Sequence, residues 1–367
     1  MNLIPLASLT TEARLSWESL ARRAAEPNPF FEPAFLLPAW QAHGAEDEVS
    51  LLVYSQEGDW LGCSPVTVRR MRGGPRLLST WTHAYSYLGT PLVDRDHVDG
   101  FGTAFAGLLE AREHSRFAVL RLIGEGAVLD AIRGGIEDSD SLRSIYEDSY
   151  ERAALRRHGQ PDYLEWMKPH RRRELKRLRR RLEDGVGGLE VQDRSNDSGA
   201  VDDFLRLERS GWKGQAGTAM AARAQDGEMF RRLCSAFAGE NRLQLLALQA
   251  GERALAMKCN LIAGDAVFCF KIAYDEQYAR FSPGVLLEVD NIELFHDRRR
   301  EALMDSCADP NHPMINRLWQ ERRTIVTTMI GPRGPLGWAA VNSRAALQAA
   351  RAGRMRRHER RTETEPG

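Results

Sequence analysis

The sequence predicts a mixed α+β chain of two tandem halves, each a mostly antiparallel sheet flanked by helices. Three observations carry this. The chain has 367 residues, 43% of them hydrophobic, enough for about two domains with substantial cores. Short β-branched and aromatic runs alternate with Gly-containing turns in both halves. The succession of hairpin, helix and further strand then occurs twice, which is an internal repeat.

In the first half, Val49–Tyr54 reads as a strand. A turn around Gly58 leads to a second strand from Trp60 to Val68. A helix over about 96–116 and a strand over 117–123 complete the unit. In the second half, strands are expected at Leu243–Leu248, Ala254–Ile262 and Ala266–Tyr274, with turns at Gly251 and Gly264. A helix over about 283–300 and a strand at Ala302–Asp305 follow. Residues 1–155 and 156–342 are read as the two halves. Residues 343–367 hold no large apolar residue after Met355 and are read as a flexible tail.

Between the halves, Arg133–Gln160 reads as a polar stretch. Eight of the eleven residues from Arg171 to Arg181 are Arg or Lys. Leu175, Leu178 and Leu182 recur at helical spacing, giving that segment one apolar stripe. Pro169 suits a first helical position and Asp184-Gly185 a stop. The acidic stretch Glu137–Glu151 is a candidate partner for its charge.

Lys plus Arg and Asp plus Glu both number 51, which excludes a globally basic nucleic-acid binder but leaves room for a local basic face. Five cysteines without a C-x-x-C pair argue against a disulfide scaffold and against structural zinc. Nine histidines without H-E-x-x-H spacing disfavour a metal in catalysis. The first residues lack a cationic and then apolar leader, and no apolar run nears the roughly 18 residues of a membrane span. A cytoplasmic protein without a membrane span is expected, and no coiled-coil seam indicates its oligomeric state.

The segment after the third C-terminal strand carries the most chemistry. A loop bearing Arg280 leads to Ser282-Pro283-Gly284, with Ser a good N-cap and Pro a good first helical residue. The first N–H groups of such a helix lack internal partners and favour an anion. A phosphate or pyrophosphate on the amides of Gly284, Val285 and Leu286, beside Arg280, is the reading this spacing suggests. A plain, well-made helix start is the alternative. The first half has no counterpart, because Asp94 and Asp96 near its helix start repel a phosphate.

Several segments together resemble a known family. They are Gly211-Trp-Lys-Gly-Gln-Ala-Gly-Thr-Ala219, Lys271-Ile-Ala-Tyr-Asp-Glu276, Tyr278-Ala-Arg-Phe-Ser-Pro-Gly-Val-Leu-Leu287 and Met304-Asp-Ser-Cys307. Their order and spacing resemble the CelD/BcsL-type (BioF-like) acetyltransferase family, GNAT-related proteins associated with cellulose and exopolysaccharide biosynthesis. Asn28-Pro-Phe-Phe-Glu-Pro-Ala-Phe35 and the basic helix add to the likeness, which spans about residues 15–340. The family is similar in architecture to the FemABX transferases, so the resemblance implies two tandem GNAT-like halves. It also implies transfer of an acyl group from a thioester donor, acyl-CoA, to an amine or hydroxyl acceptor, a small molecule or a glycan.

Roles follow for individual residues. Arg280, Ser282, Pro283, Gly284 and Val285 would bind the donor. Trp212 and Lys213, after a Gly211 helix cap, would line the acceptor site, or else Trp212 packs on that cap and Lys213 is solvated. Lys271 is expected opposite Phe268, Phe270 and Ile272 by strand alternation. It and Asp275 would contact substrate, with Asp275 or Asp305 as an alternative ion-pair partner for the lysine. Tyr278 is a candidate acid for the leaving thiolate and Asp305 a candidate base, with Glu276 and Glu288 behind it. The cysteines read as small hydrophobes. Two other classes remain: an aminoacyl-tRNA-dependent transferase, recommended by the basic helix, and a non-catalytic binding subunit.

Overall fold

A computed structural model describes residues 1–44, 47–70, 74–157 and 167–335. The expected tail at 343–367 lies outside the described residues. The first half comprises β1 (Asn2–Pro5), α1 (Thr11–Arg23), α2 (Pro33–His43), β2 (Val49–Gln56), β3 (Asp59–Arg70), β4 (Arg76–Thr80), β5 (Leu92–Val93), α3 (Val98–Ala111), β6 (Ala118–Gly124), α4 (Ala127–Glu137) and β7 (Leu142–Arg156). The second comprises α5 (Pro169–Val186), β8 (Glu190–Asp193), α6 (Ala200–Ser210), α7 (Trp212–Gln215), α8 (Ala224–Gly239), β9 (Leu243–Ala250), β10 (Arg253–Ala263), β11 (Ala266–Tyr274), α9 (Pro283–Arg298), β12 (Leu303–Asp305), α10 (Ile315–Leu318) and β13 (Glu321–Pro332). With β5, α5 and α7 set aside, the two series match element for element. The repeat is therefore wider than the hairpins and helix that disclose it in the sequence.

All the strands among the described residues belong to one sheet, in the order β1-β2-β3-β4-β6-β13-β7-β12-β11-β10-β9-β8, with β5 paired to β3. The closing strands of the repeats are exchanged. Strand β7 pairs with β12 of the second half, and β13 pairs with β6 of the first. The two exchanged strands lie antiparallel along their whole length, from Glu321 opposite Ala154 to Pro332 opposite Leu142. Each half completes the other's sheet.

This exchange corrects the reading of 133–160 as a polar stretch, because most of it is the end of α4 and the whole of β7. The middle of β7 is largely exposed while Ala153–Leu155 are buried, so the alternation that marks a half-buried strand is missing. Its ladder partner lies far along the chain. Among the described residues, the acidic ones there do not pair with the basic helix as expected. Glu147 takes Arg133, whereas Arg171 pairs with Glu174 of its own helix and Arg179 with Asp290 of α9. Helix α5 also outruns the expected stop at Asp184-Gly185, ending at Gly187 with φ +80°.

One face of the sheet carries a core shared by both halves, with Trp17, Phe30 and Phe35 packed near Phe204, Phe230, Phe268 and Phe270. The Phe30 and Phe268 rings stand 6.0 Å apart, and Phe35 and Phe270 5.5 Å apart. The other face carries two separate cores. Phe101, Phe105 and Ile132 fill the one beneath α3 and α4, and Leu175, Leu182, Leu287 and Phe295 the one involving α5 and α9. Each such side chain contributes roughly 1.5–3 kcal/mol by burial.

Candidate active site

Strands β11 and β12 are parallel but pair only over Ala266–Phe268 and Leu303–Asp305. Beyond Phe268, β11 continues to Tyr274, while the other chain turns away at Cys307, φ +51°. Where the strands diverge, a cleft of about 410 Å³ opens. Its walls include Ile272, Ala273 and Tyr274 from β11, and Ala279, Ser282, Gly284 and Val285 from the turn into α9. Glu208 and Gly211 from the end of α6 and the His312–Met314 segment close the remaining side. A strand edge free of a strand neighbour offers backbone groups to an extended ligand.

The start of α9 differs from the expected cap. Ser282 is left-handed (φ 55°, ψ 54°), and its side chain caps nothing. Its carbonyl accepts from the amides of Val285 (2.9 Å) and Leu286 (3.1 Å). Of the three amides expected to hold a pyrophosphate, only that of Gly284 stays out of this turn. A Cβ on Gly284 would stand 3.4 Å from the Tyr274 ring, so an alanine fits while a longer side chain enters the cleft. Pro283 sits at the first helical position. Arg280 is exposed and lies over the Phe281 ring, 4.6 Å from its centroid, rather than in the cleft wall.

The corresponding wedge of the first half is closed. Strands β4 and β6 pair only at Leu78–Ala118 and Ser79–Val119, and the chain after β4 fills the gap. The Gly89 amide donates to the Leu122 carbonyl at 2.7 Å. A Cβ at Gly89 would meet the Arg121 carbonyl oxygen at 1.9 Å, so the backbones approach this closely only because the residue is glycine. Asp94 accepts from the Asp96 amide and pairs with His97 and Arg23, leaving a carboxylate beside the start of α3.

Lys271 lies on the other side of the sheet from its expected position. Register along β10–β11 shifts between Cys259 and Asn260, which oppose Lys271 and Cys269, leaving Phe270 as the extra residue of a β-bulge. The bulge reverses the alternation, a common way of re-aiming a side chain near a site. Lys271 therefore faces the first half, its ammonium 4.7 Å from the Tyr85 ring centroid and 5.9 Å from that of Tyr87. Neither Asp275 nor Asp305 is its partner. Burial lowers its pKa, with Glu208 and Asp226 pulling the other way. Beside it, the Tyr85 hydroxyl donates to Asp226 at 2.7 Å, and His43 lies 3.1 Å from the other oxygen of that carboxylate. His83 stacks on His43, and burial pushes its pKa down to about 3.

The two expected catalytic residues stand elsewhere. Asp305 is fully buried. One of its oxygens accepts from Arg152 of β7 (2.6 Å) and Arg323 of β13 (2.9 Å), the other from the Cys307 amide (2.9 Å). Burial alone would raise its pKa, but the two guanidiniums hold it below the ordinary carboxylate range. A carboxylate so held is an anchor between exchanged strands and a poor base. Tyr278 packs under Arg253, whose guanidinium carbon lies 5.1 Å from its ring centroid. Asp275 takes the same Arg253 at 2.6 Å and caps the following turn through the Gln277 amide. Tyr278 and Asp275 thus belong to one outer cluster and wall no part of the cleft. Glu288 is occupied by Lys258, Trp319 and Asn291.

Gly211 is the C-cap of α6, as expected, in an extended conformation (φ −93°, ψ −171°), and it walls the cleft. Trp212 and Lys213 open α7 directly after it, and their side chains lie outside the described ones. The structure thus brings Ser282, Gly284 and Val285 together at the cleft and sets Lys271 near its Glu208. Glu208 escaped the sequence reading. It occupies the same helical face as the buried Ala200, Phe204 and Leu205, and an acid on an apolar face was the available signal.

Residues 169–305 match the acetyltransferase (GNAT) domain family. The matched GNAT span contains α6, the β9–β11 meander, the bulge, α9 and β12, and with them most of the cleft wall. Among solved structures, a Bacteroides thetaiotaomicron protein of unknown function is 10% identical, with a TM-score of 0.54 over 89% of this chain and 99% of that one. A structure of FemX is 8% identical, with a TM-score of 0.54 over 89% and 97%. A C-terminal domain assigned to a lysylphosphatidylglycerol synthetase of Agrobacterium fabrum is 10% identical, with a TM-score of 0.53 over 91% and 96%. No curated protein matches the chain. The architecture is that of two tandem GNAT-like halves joined in one mostly antiparallel sheet. Among the described residues, no helix is long and apolar enough to cross a membrane.

Proposed function

We propose that the chain is an acyltransferase that takes an acyl group from a pantetheine thioester of the acyl-CoA class and passes it to an amine or hydroxyl. The observation that carries this is the cleft beside the end of β11, walled by Ala273, Ser282, Gly284 and Glu208, open in the second half while its counterpart in the first is closed. A slender pantetheine arm suits a cleft of about 410 Å³, which it enters along the side where β11 has no strand neighbour after Phe268. Residues 1–155 then shape the acceptor side and 156–342 hold the donor. The CelD/BcsL-type resemblance suggests an acceptor from polysaccharide or envelope metabolism.

In this reading Gly284 leaves room for the donor, and Val285 packs against the arm. The Lys271 ammonium, poorly solvated and aimed between the halves, stabilises negative charge developing on the thioester carbonyl oxygen. Removing such a donor typically costs about 10²–10³-fold in turnover. Glu208 is the nearest acid in the cleft wall to receive the acceptor's proton. Holding the two reactants together contributes on the order of 7–11 kcal/mol without a strong base.

Calorimetric titration with acetyl-CoA and S-acetylpantetheine tests the reading. Both should bind the unmodified chain, and Gly284→Glu should abolish binding of both by filling the cleft. Unchanged affinity in that variant removes the cleft as the donor site.

A further inference from the structure

We propose that the donor arrives on an acidic acyl carrier protein that docks on the exposed face of α5 and extends its pantetheine arm into the cleft. This rests on the cleft being a pantetheine thioester site. Arg173, Lys176, Arg177, Arg180 and Arg181 are all exposed, and their spacing of three, four, seven and eight residues gathers them on one helical face. That face is about 12 Å long at 1.5 Å per residue. Leu175 and Leu182 are buried. Among the described residues, these five cations make no ion pair, whereas Arg171 and Arg179 of the same helix are taken by Glu174 and Asp290. Arg280, also exposed, adds a sixth charge nearby.

Position links the patch to the cleft. Helix α5 packs against the turn Glu276–Phe281, whose Ala279, with the following Ser282, belongs to the cleft wall. Anchoring chemistry points the same way. A free nucleotide donor needs its pyrophosphate held, yet the amides of Val285 and Leu286 are engaged by the Ser282 carbonyl. A carrier protein needs no pyrophosphate grip, because its affinity comes from the surface around the arm. Five cations on one helical face complement a single acidic helix and give a fast, salt-sensitive encounter. RNA fits less well, because α5 holds no Phe, Tyr or Trp, and His170 at its first turn is its single ring on which a base could stack.

Fluorescence anisotropy with a labelled bacterial acyl carrier protein, carrying its arm as a non-hydrolysable acyl amide, tests this at 50 and 300 mM NaCl. S-acetylpantetheine titrated by calorimetry is the control. The carrier should bind at least tenfold more tightly than S-acetylpantetheine at low salt and lose at least tenfold at high salt. Arg173→Glu/Lys176→Glu/Arg177→Glu should lose carrier binding at least tenfold with S-acetylpantetheine binding unchanged, which also reports an intact fold. The milder Lys176→Gln/Arg180→Gln should lose about threefold. Carrier binding unaltered by the triple variant, or no tighter than S-acetylpantetheine, overturns the docking proposal and leaves the cleft reading standing. Failure of S-acetylpantetheine itself overturns both. Salt-sensitive tRNA binding lost in the triple variant, without carrier binding, assigns α5 to RNA and also overturns it.

Discussion

Replacing Asp305 by asparagine separates its two readings. The carboxylate is wholly buried between Arg152 and Arg323, themselves 2% and 9% exposed. Asparagine keeps the shape and one acceptor oxygen but removes the charge. Arg152 then retains the Tyr87 carbonyl, and Arg323 retains Glu26 only at 3.9 Å. Breaking a buried pair by removing one partner costs about 3–5 kcal/mol, because the other charge stays desolvated. With a transition entropy of roughly 0.7 kcal/mol/K for a chain of this length, Tm should fall by about 4–7 °C. Differential scanning calorimetry reads that shift, and titration with S-acetylpantetheine reads the cleft. Its folded pKa lies below the ordinary carboxylate value, so the stability it supplies is present above that value and lost as pH falls through the folded one. The acid limb of the stability profile should therefore flatten in Asp305→Asn. A loss below about 1 kcal/mol refutes the structural role. A large loss of turnover with unchanged Tm would restore Asp305 as the base.

Two more outcomes concern the region between the halves. Lys271→Met should lower kcat by about 10²-fold while donor affinity stays within about twofold, measured by steady-state kinetics and calorimetry; an unchanged kcat removes Lys271 from the chemistry. His83 is held neutral, so the unfolded chain binds more protons and stability declines as pH falls from about 6.5 toward 3. With a folded pKa of about 3, the loss between pH 6.5 and 5 is about 2 kcal/mol. Urea midpoints for His83→Phe should lack that decline, and an identical decline in the variant would contradict the assignment.

The sequence disclosed the elements that bury their own periodicity. Strand β11 was legible to the residue, because Ala266–Tyr274 is an apolar run rich in Val, Ile and aromatic residues, interrupted only by Lys271, between two turns. Helix α9 was legible from Pro283 onward. Strand β7 was hidden, since most of its middle is exposed and its ladder to β13 runs from Ala154–Glu321 to Leu142–Pro332, far apart in the chain. No local pattern announces a strand exchanged between repeats.

The candidate site was legible in part for the same reason. Ser282, Gly284 and Val285 are local to one helix start, and the sequence marked them. The wrong face for Lys271 follows from one bulged residue, Phe270, which inverts every later position of the strand. Asp305 looked free because its partners, Arg152 and Arg323, reach it from β7 and β13. Glu208 looked like an ordinary helix acid until tertiary packing buried it.

The most direct measurement is a crystal structure grown with S-acetylpantetheine. The ligand should lie in the cleft beside β11, its arm against Ala273, Gly284 and Val285 and its thioester carbonyl beside Lys271. Density at another surface, with the cleft filled by the protein's own side chains, would contradict the donor site.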